Sequence, residues 1–196
     1  MARNGSTKSR TSRRAAADPS PETLALIDPE GSAADADPVE VAKKILAQHL
    51  SMTAKSRHQL AQVLARREVP EAAAEAALAR YTELGYIDDA AFARAWVESR
   101  QRTRGLAGSA LRRELTQKGI DRELIDHVLA DGVDEDSERK AASALVHKKL
   151  RAMRGVDNDA ATRRLVSMLG RKGYGPGVSY VVVREALADR EVDGER

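Results

Sequence analysis

The 196-residue sequence contains no cysteine. A disulfide framework, a thiolate metal site and a cysteine nucleophile are therefore excluded. Aromatic residues are almost as scarce, at one Trp, one Phe and four Tyr. Any core must be built mainly from aliphatic side chains. Strand signals are nearly missing. Val181–Val183 is the only β-branched cluster, and it falls inside a helical period. No stretch approaches the ~20 consecutive apolar residues that span a bilayer. The basic start is not followed by an apolar run, so it does not read as a secretory signal. These absences predict a cytoplasmic protein without a membrane segment.

Charge is segregated at the N-terminus. Residues 1–17 hold Arg3, Lys8, Arg10, Arg13 and Arg14 and no acid, while residues 18–40 hold seven acids and no base. Pro19, Pro21, Pro29 and Pro38 punctuate the acidic block, which has little apolar material beyond Leu24, Leu26 and Ile27. Such a segment cannot bury enough surface to offset its ordering entropy, so residues 1–38 are expected to form a disordered tail. The remainder is mildly basic, which permits contact with nucleic acid or an acidic protein surface without demanding either.

What is abundant is Ala, Leu, Glu, Arg and Lys, all good helix formers. They carry a pattern that occurs three times. Two leucines four apart are followed by an apolar residue five positions later: Leu60, Leu64 and Val69; Leu111, Leu115 and Ile120; Leu165, Leu169 and Tyr174. Nine positions beyond each third mark stand Leu78, Leu129 and Val183. A recurrence of this kind signals stacked copies of one small unit, each burying its apolar face against neighbours. The expected fold is all-α, with three tandem three-helix repeats stacked into an elongated, curved array. The repeats are assigned to residues 39–87, 88–133 and 134–190, with a short tail at 191–196.

Local signals divide each repeat. Val41, Ile45, Leu46 and Leu50 share one helix face. Ser56 and Gln59 form the S-x-x-Q capping box that opens a second helix. Pro70 suits the first turn of a third, bearing Ala74, Ala77, Leu78, Tyr81 and Leu84. Gly85 stops it. Asp88 or Asp89 then caps a helix with Phe92, Trp96 and Val97 that runs to about Arg104. Gly105 and Gly108 break it, Ser109 opens the next helix, and Gly119 ends that one. Asp121 caps the following helix. Asp157 or Asp159 caps the eighth, and Pro176 opens a ninth that ends near Ala188. Phe92 and Trp96, the largest apolar groups, are expected to anchor the contact between repeats one and two.

The segment from Leu84 to Arg100, with Gly85, Ile87, Asp88, Asp89, Phe92 and Trp96, closely resembles the signature of the RecX family of recombination regulators. The run Leu111 to Ile120 resembles that family's next segment, and Arg163 to Leu187 its C-terminal one. The resemblance covers about residues 40–188. It implies a small helical protein of tandem three-helix units that binds the RecA recombinase, mainly as the filament on single-stranded DNA. It further implies inhibition of ATP hydrolysis, strand exchange and coprotease activity by binding, not catalysis. Ala107-Gly108-Ser109 stand where the family commonly has a proline, and Glu68 stands where the other repeats have Gly119 and Gly173.

No catalytic constellation accompanies these motifs, and no cofactor or metal is expected. His49, His58, His127 and His147 lack the i, i+3 or i, i+4 spacing of metal ligands. Gly170–Gly177 lacks the G-K-[ST] of a phosphate loop. Tyr81, Tyr86, Tyr174 and Tyr180 fall at positions that favour packing over base stacking. The candidate working surface is basic: Arg100, Arg102, Arg104, Arg112, Arg113, Lys118, Lys148, Lys149, Arg163, Arg164 and Lys172. Some of these end helices, where a cation gains ~0.3–1 kcal/mol from the helix dipole without any partner. A stripe across two repeats would instead meet RecA, DNA phosphate or both, with the protein acting as a monomer. The competing readings are a DNA-binding helical module that acts without RecA and a scaffold holding peptides in a concave groove.

Overall fold

The structure, a computed structural model, describes residues 37–132 and 135–194, with side chains to residue 190. The predicted tail of residues 1–38 lies outside the described residues except for its last two. Asp37 accepts from the Val39 N–H at 2.9 Å and Pro38 occupies the first helical turn, so helix α1 starts inside the segment assigned to the tail. A proline there gives up an N–H that has no intrahelical partner.

Among the described residues there are nine helices and no strand: α1 (Pro38–Met52), α2 (Arg57–Arg66), α3 (Glu71–Glu83), α4 (Asp89–Arg104), α5 (Gly108–Gln117), α6 (Arg122–Gly132), α7 (Glu135–Leu150), α8 (Asn158–Lys172) and α9 (Pro176–Gly194). The capping box forms as expected, with the Gln59 N–H donating to Ser56 Oγ and the Ser56 N–H donating to Gln59 Oε1. Asp88 caps α4 and Asp157 caps α8. The Asp157 carboxyl titrates below its ordinary value because it accepts from the Ala160 N–H. Its contribution is therefore complete above the unfolded carboxylate range and fades as pH falls through the lower folded value. Ser109 does not open α5. The cap position is Ala107, without a side-chain cap. α9 runs past Ala188 to Gly194, because no helix breaker intervenes.

The repeated pattern is the core. Leu60, Leu64, Leu111, Leu115, Leu165 and Leu169 are all completely buried. They belong to three separate apolar clusters, one per helix triplet: Ala42 to Ile87, Phe92 to Leu129, and Ala107 with Ala142 to Leu187. Leu84, expected on the buried face of α3, is instead half-exposed, because it is the C-terminal cap where the chain turns away.

The units are joined through helix ends. The middle helices α2, α5 and α8 meet head to tail. Ser56 Oγ, at the start of α2, donates to the Lys118 carbonyl at the end of α5 at 2.5 Å. The Asp89 carboxylate accepts from the Arg57 N–H at 2.8 Å across the same joint. At the second joint the Ala107 N–H donates to the Lys172 carbonyl at 2.8 Å, and the Ser109 N–H and hydroxyl donate to the Gly173 carbonyl. Each joint pairs groups that helix termini otherwise leave without an intrahelical partner. It also sets a positive helix end against a negative one.

The joints explain two glycines. Gly119 and Gly173 have φ of +73° and +97°, the left-handed turn that lets the next residue's N–H reach back, from Ile120 to Leu115 and from Tyr174 to Leu169. A Cβ at Gly119 would collide with the His58 ring, and one at Gly173 with the backbone of Ala107 and Ala110. Glu68 holds the same place after α2, at φ +59°. It is exposed, so its side chain meets no packed neighbour of the kind that crowds Gly119 and Gly173.

Candidate partner interface

Phe92 and Trp96 do not anchor the contact between repeats one and two. Both belong to the core of the second unit, with ring centroids 5.8 Å apart and nearly parallel. Phe92 is buried and Trp96 is only partly so. The helical spacing correctly pairs the rings, but spacing cannot say which unit their shared face meets.

The partly exposed indole is the centre of a charged cluster. Its Nε1–H donates to Glu114 Oε2 at 2.8 Å. The Arg100 guanidinium donates to the same oxygen at 2.8 Å, and its carbon lies 3.9 Å from the indole centroid. Lys118 Nζ sits 4.7 Å from that ring. Arg104 reaches the other carboxylate oxygen at 3.6 Å. Helix periodicity builds this group. Trp96, Arg100 and Arg104 are successive i, i+4 positions on α4, and Glu114 and Lys118 are i, i+4 on and just beyond α5. Two cations thus hold one carboxylate while a third lies over the indole, and the group as a whole is net positive. The cluster touches both joints. The Lys118 carbonyl belongs to the first, and Lys172 Nζ donates to the Arg104 carbonyl at the second.

Of the sequence-predicted cations, the structure brings together Arg100, Arg104, Lys118 and Lys172. Arg102 points away beside Glu98, 4.0 Å distant and largely exposed. Arg112 is engaged by Asp126 on α6, leaving its neighbour Arg113 exposed. Lys148 and Lys149 on α7 and Arg163 and Arg164 on α8 are exposed and form no ion pair among the described residues. Glu114 was not singled out from sequence. Its signal was present, a carboxylate among basic residues on a helix face, but the partner helix α4 is supplied by packing. The family-motif residues play structural parts: Ile87 is buried in the first core, Asp88 caps α4, and Asp89 closes the first joint.

The expected packing of the tyrosines holds for two of them. Tyr174 is buried, and the half-buried Tyr81 donates to the Lys43 carbonyl at 3.0 Å. Burial raises the titration of both phenols. Tyr86 and Tyr180 are exposed, at 48% and 59%.

Trp96→Ala removes a ring stack, a hydrogen bond and two cation contacts, but from a partly solvated site. Full burial of a large aromatic would predict a loss of ~3–5 kcal/mol; for Trp96 we expect about 2–3 kcal/mol, measured by urea unfolding. A loss below ~0.5 kcal/mol, the range of plain surface substitutions, would show that the cluster contributes nothing to stability.

No group of His, Asp or Glu suited to hold a metal ion occurs among the described residues. Nor is any described helix long and apolar enough to cross a membrane.

Comparison with known proteins follows this geometry. Residues 88–129, the second helix triplet, match the family model for the RecX second three-helix domain. The regulatory protein RecX of Streptomyces coelicolor is 50% identical over 159 residues, covering 81% of this chain and 84% of the relative. That of Thermobifida fusca is 42% identical over 165 residues, covering 84% and 89%. Among solved structures, RecX from Lactobacillus salivarius superposes with a TM-score of 0.71 at 17% identity, covering 76% of this chain and 97% of the other. At that identity the likeness speaks for the fold. The sequence relatives are named as regulatory proteins, not as enzymes. With half of the aligned residues identical over most of both chains, this chain belongs to the RecX family of regulatory proteins.

Proposed function

We propose that the chain regulates homologous recombination by binding the RecA filament on single-stranded DNA. It slows ATP hydrolysis, strand exchange and coprotease action without catalysing anything itself. Beyond family membership, the observation that carries this reading is the cluster of Arg100, Arg104 and Lys118 around Glu114 and Trp96. Arg100 and Lys118 are held against the indole, so these two lose little side-chain entropy when they meet an acidic surface. Tandem units that touch successive protomers would oppose the rearrangements that accompany ATP turnover.

The test is RecA ATPase on single-stranded DNA with increasing amounts of this protein. Dose-dependent loss at amounts well below RecA is expected. Unchanged ATPase and strand exchange at equimolar protein would overturn the reading. Replacing Arg104 and Arg113 by Glu should leave the fold intact, since exposed pairs are worth ~0–1 kcal/mol. Inhibition should nevertheless weaken sharply, because like charges across an interface cost several kcal/mol.

A second reading, binding to DNA without RecA, draws on the exposed cations Arg113, Lys148, Lys149, Arg163 and Arg164, which have no ion pair among the described residues. Its mark would be steeply salt-dependent binding to bare duplex, with no effect on the filament.

A further inference from the structure

The two joints are built from different chemistry. At the second, every cross-joint hydrogen bond ends on a backbone carbonyl, of Lys172, Gly173 or Arg104. Apolar packing also crosses it. Ala107, between α4 and α5, is buried in the third core. A Cβ at Gly105 would stand 3.1 Å from Leu145 of α7. The first joint has neither feature. Each of its two bonds uses a side chain, the Ser56 hydroxyl or the Asp89 carboxylate, and among the described residues no backbone-to-backbone bond crosses it. The first and second cores share no residue. The side chain that lies on this joint is the exposed His58, whose ring covers Gly119.

Opening the two joints therefore costs different amounts. At the first, water replaces what is lost. The Arg57 N–H is a first-turn donor that solvent can satisfy, and Ser56 Oγ still accepts from the Gln59 N–H inside its own unit. A hydrogen bond exchanged for one to water contributes little net stability. Opening the second joint would expose Ala107 and part Leu145 from Gly105, and exposure of apolar surface has no such compensation. The pivot of the first joint is short. Ile87 is buried in the first core, and Asp88, with φ −136° and ψ 97°, caps α4 through the Ala91 N–H. Rotation between these two residues reorients the first unit without breaking that cap. Hinges of this kind are a few element-terminal residues that absorb the change in φ and ψ.

We propose that the first joint is a hinge. The first unit swings about Ile87 and Asp88 as a rigid body with its core intact, whereas the second and third units move as one block. That block carries Trp96, Arg100, Arg104 and Glu114 together, so their mutual geometry is unchanged by the swing. Lys118 sits where the two functions meet. Its ammonium lies over the indole, and its carbonyl takes the Ser56 hydroxyl that the swing releases. The array can thus present its first unit at more than one angle while the charged cluster stays fixed. This holds whatever partner the cluster meets.

The experiment uses the full chain, which has no cysteine of its own to confuse a label. Exposed alanines on the third helix of each unit, Ala76, Ala130 and Ala188, are replaced by Cys in pairs and spin-labelled. Pulsed electron resonance then gives the distance distribution across each joint, and circular dichroism verifies the fold. The Ala76→Cys, Ala130→Cys pair should show a distribution about twice as wide as the Ala130→Cys, Ala188→Cys pair, or wider. Adding Asp89→Ala should broaden the first distribution further and leave the second alone. Equal widths, or a wider second distribution, overturn the hinge. Hydrogen exchange in the unsubstituted chain gives a reading that needs no variant. The Arg57 amide should exchange about tenfold faster, or more, than the Gln59 amide and the Ala107 amide. Gln59 bonds within the first unit and Ala107 across the second joint. Arg57 and Gln59 exchanging at one rate would mean that the start of α2 frays, with no swing of the unit, and the hinge fails.

Discussion

Gly173→Ala is expected to destabilise the protein by about 2–5 kcal/mol in urea unfolding. Two costs combine. At φ +97° an L-residue is forced into the left-handed region, which costs ~1–2 kcal/mol. The added methyl would also meet backbone atoms of Ala107 and Ala110, which cannot swing aside as a side-chain tip can. Overpacking of this kind adds ~1–3 kcal/mol. Gly85→Ala separates the terms. Gly85 has φ +75° but nothing near its would-be Cβ, so it should show only the backbone cost. Equal losses at Gly85 and Gly173 would show that the joint between α8 and α5 is not tight. Hydrogen exchange gives a second readout. Opening the joint should release the Ala107 and Ser109 amides, which donate to Lys172 and Gly173.

Leu165→Ala should cost about 2–5 kcal/mol, the range for truncating a fully buried leucine. Its location makes the distribution of the loss informative. Leu165 lies in the third cluster, which shares only Ala107 with the preceding unit. Stability in stacked arrays is approximately a sum of unit and junction terms. Amide protection should therefore fall most in α7, α8 and α9, while α1 to α3 keep theirs. A uniform fall across all nine helices would mean that the three cores unfold as one.

Much of this was legible in the sequence. The leucine pairs at 60 and 64, 111 and 115, and 165 and 169 mark the three cores, because burial at i, i+4 is a property of one helix and is written in consecutive residues. The cap at Ser56 was legible for the same reason, since a cap bonds within a single turn, and so were the pairs Asp88/Asp89 and Asp157/Asp159, of which Asp88 and Asp157 do the capping. The basic character of the α4 end and of α5 was also plain.

Other features depend on which helix lies beside which. Glu114 becomes the hub for Trp96, Arg100 and Arg104 only when α5 packs on α4. Arg112 is drawn off by Asp126 of α6, although its sequence neighbour Arg113 stays exposed. Tyr174 and Tyr180 sit six positions apart in the same unit, yet one is buried and the other is not. The sequence by itself determined the helices, the side-chain caps of several and the buried stripe of each, because those follow from local backbone periodicity and apolar spacing. Only the tertiary structure decided the head-to-tail joints and the partners of each cation. Those are contacts between residues up to 68 positions apart, as between Arg104 and Lys172, and no local pattern encodes them.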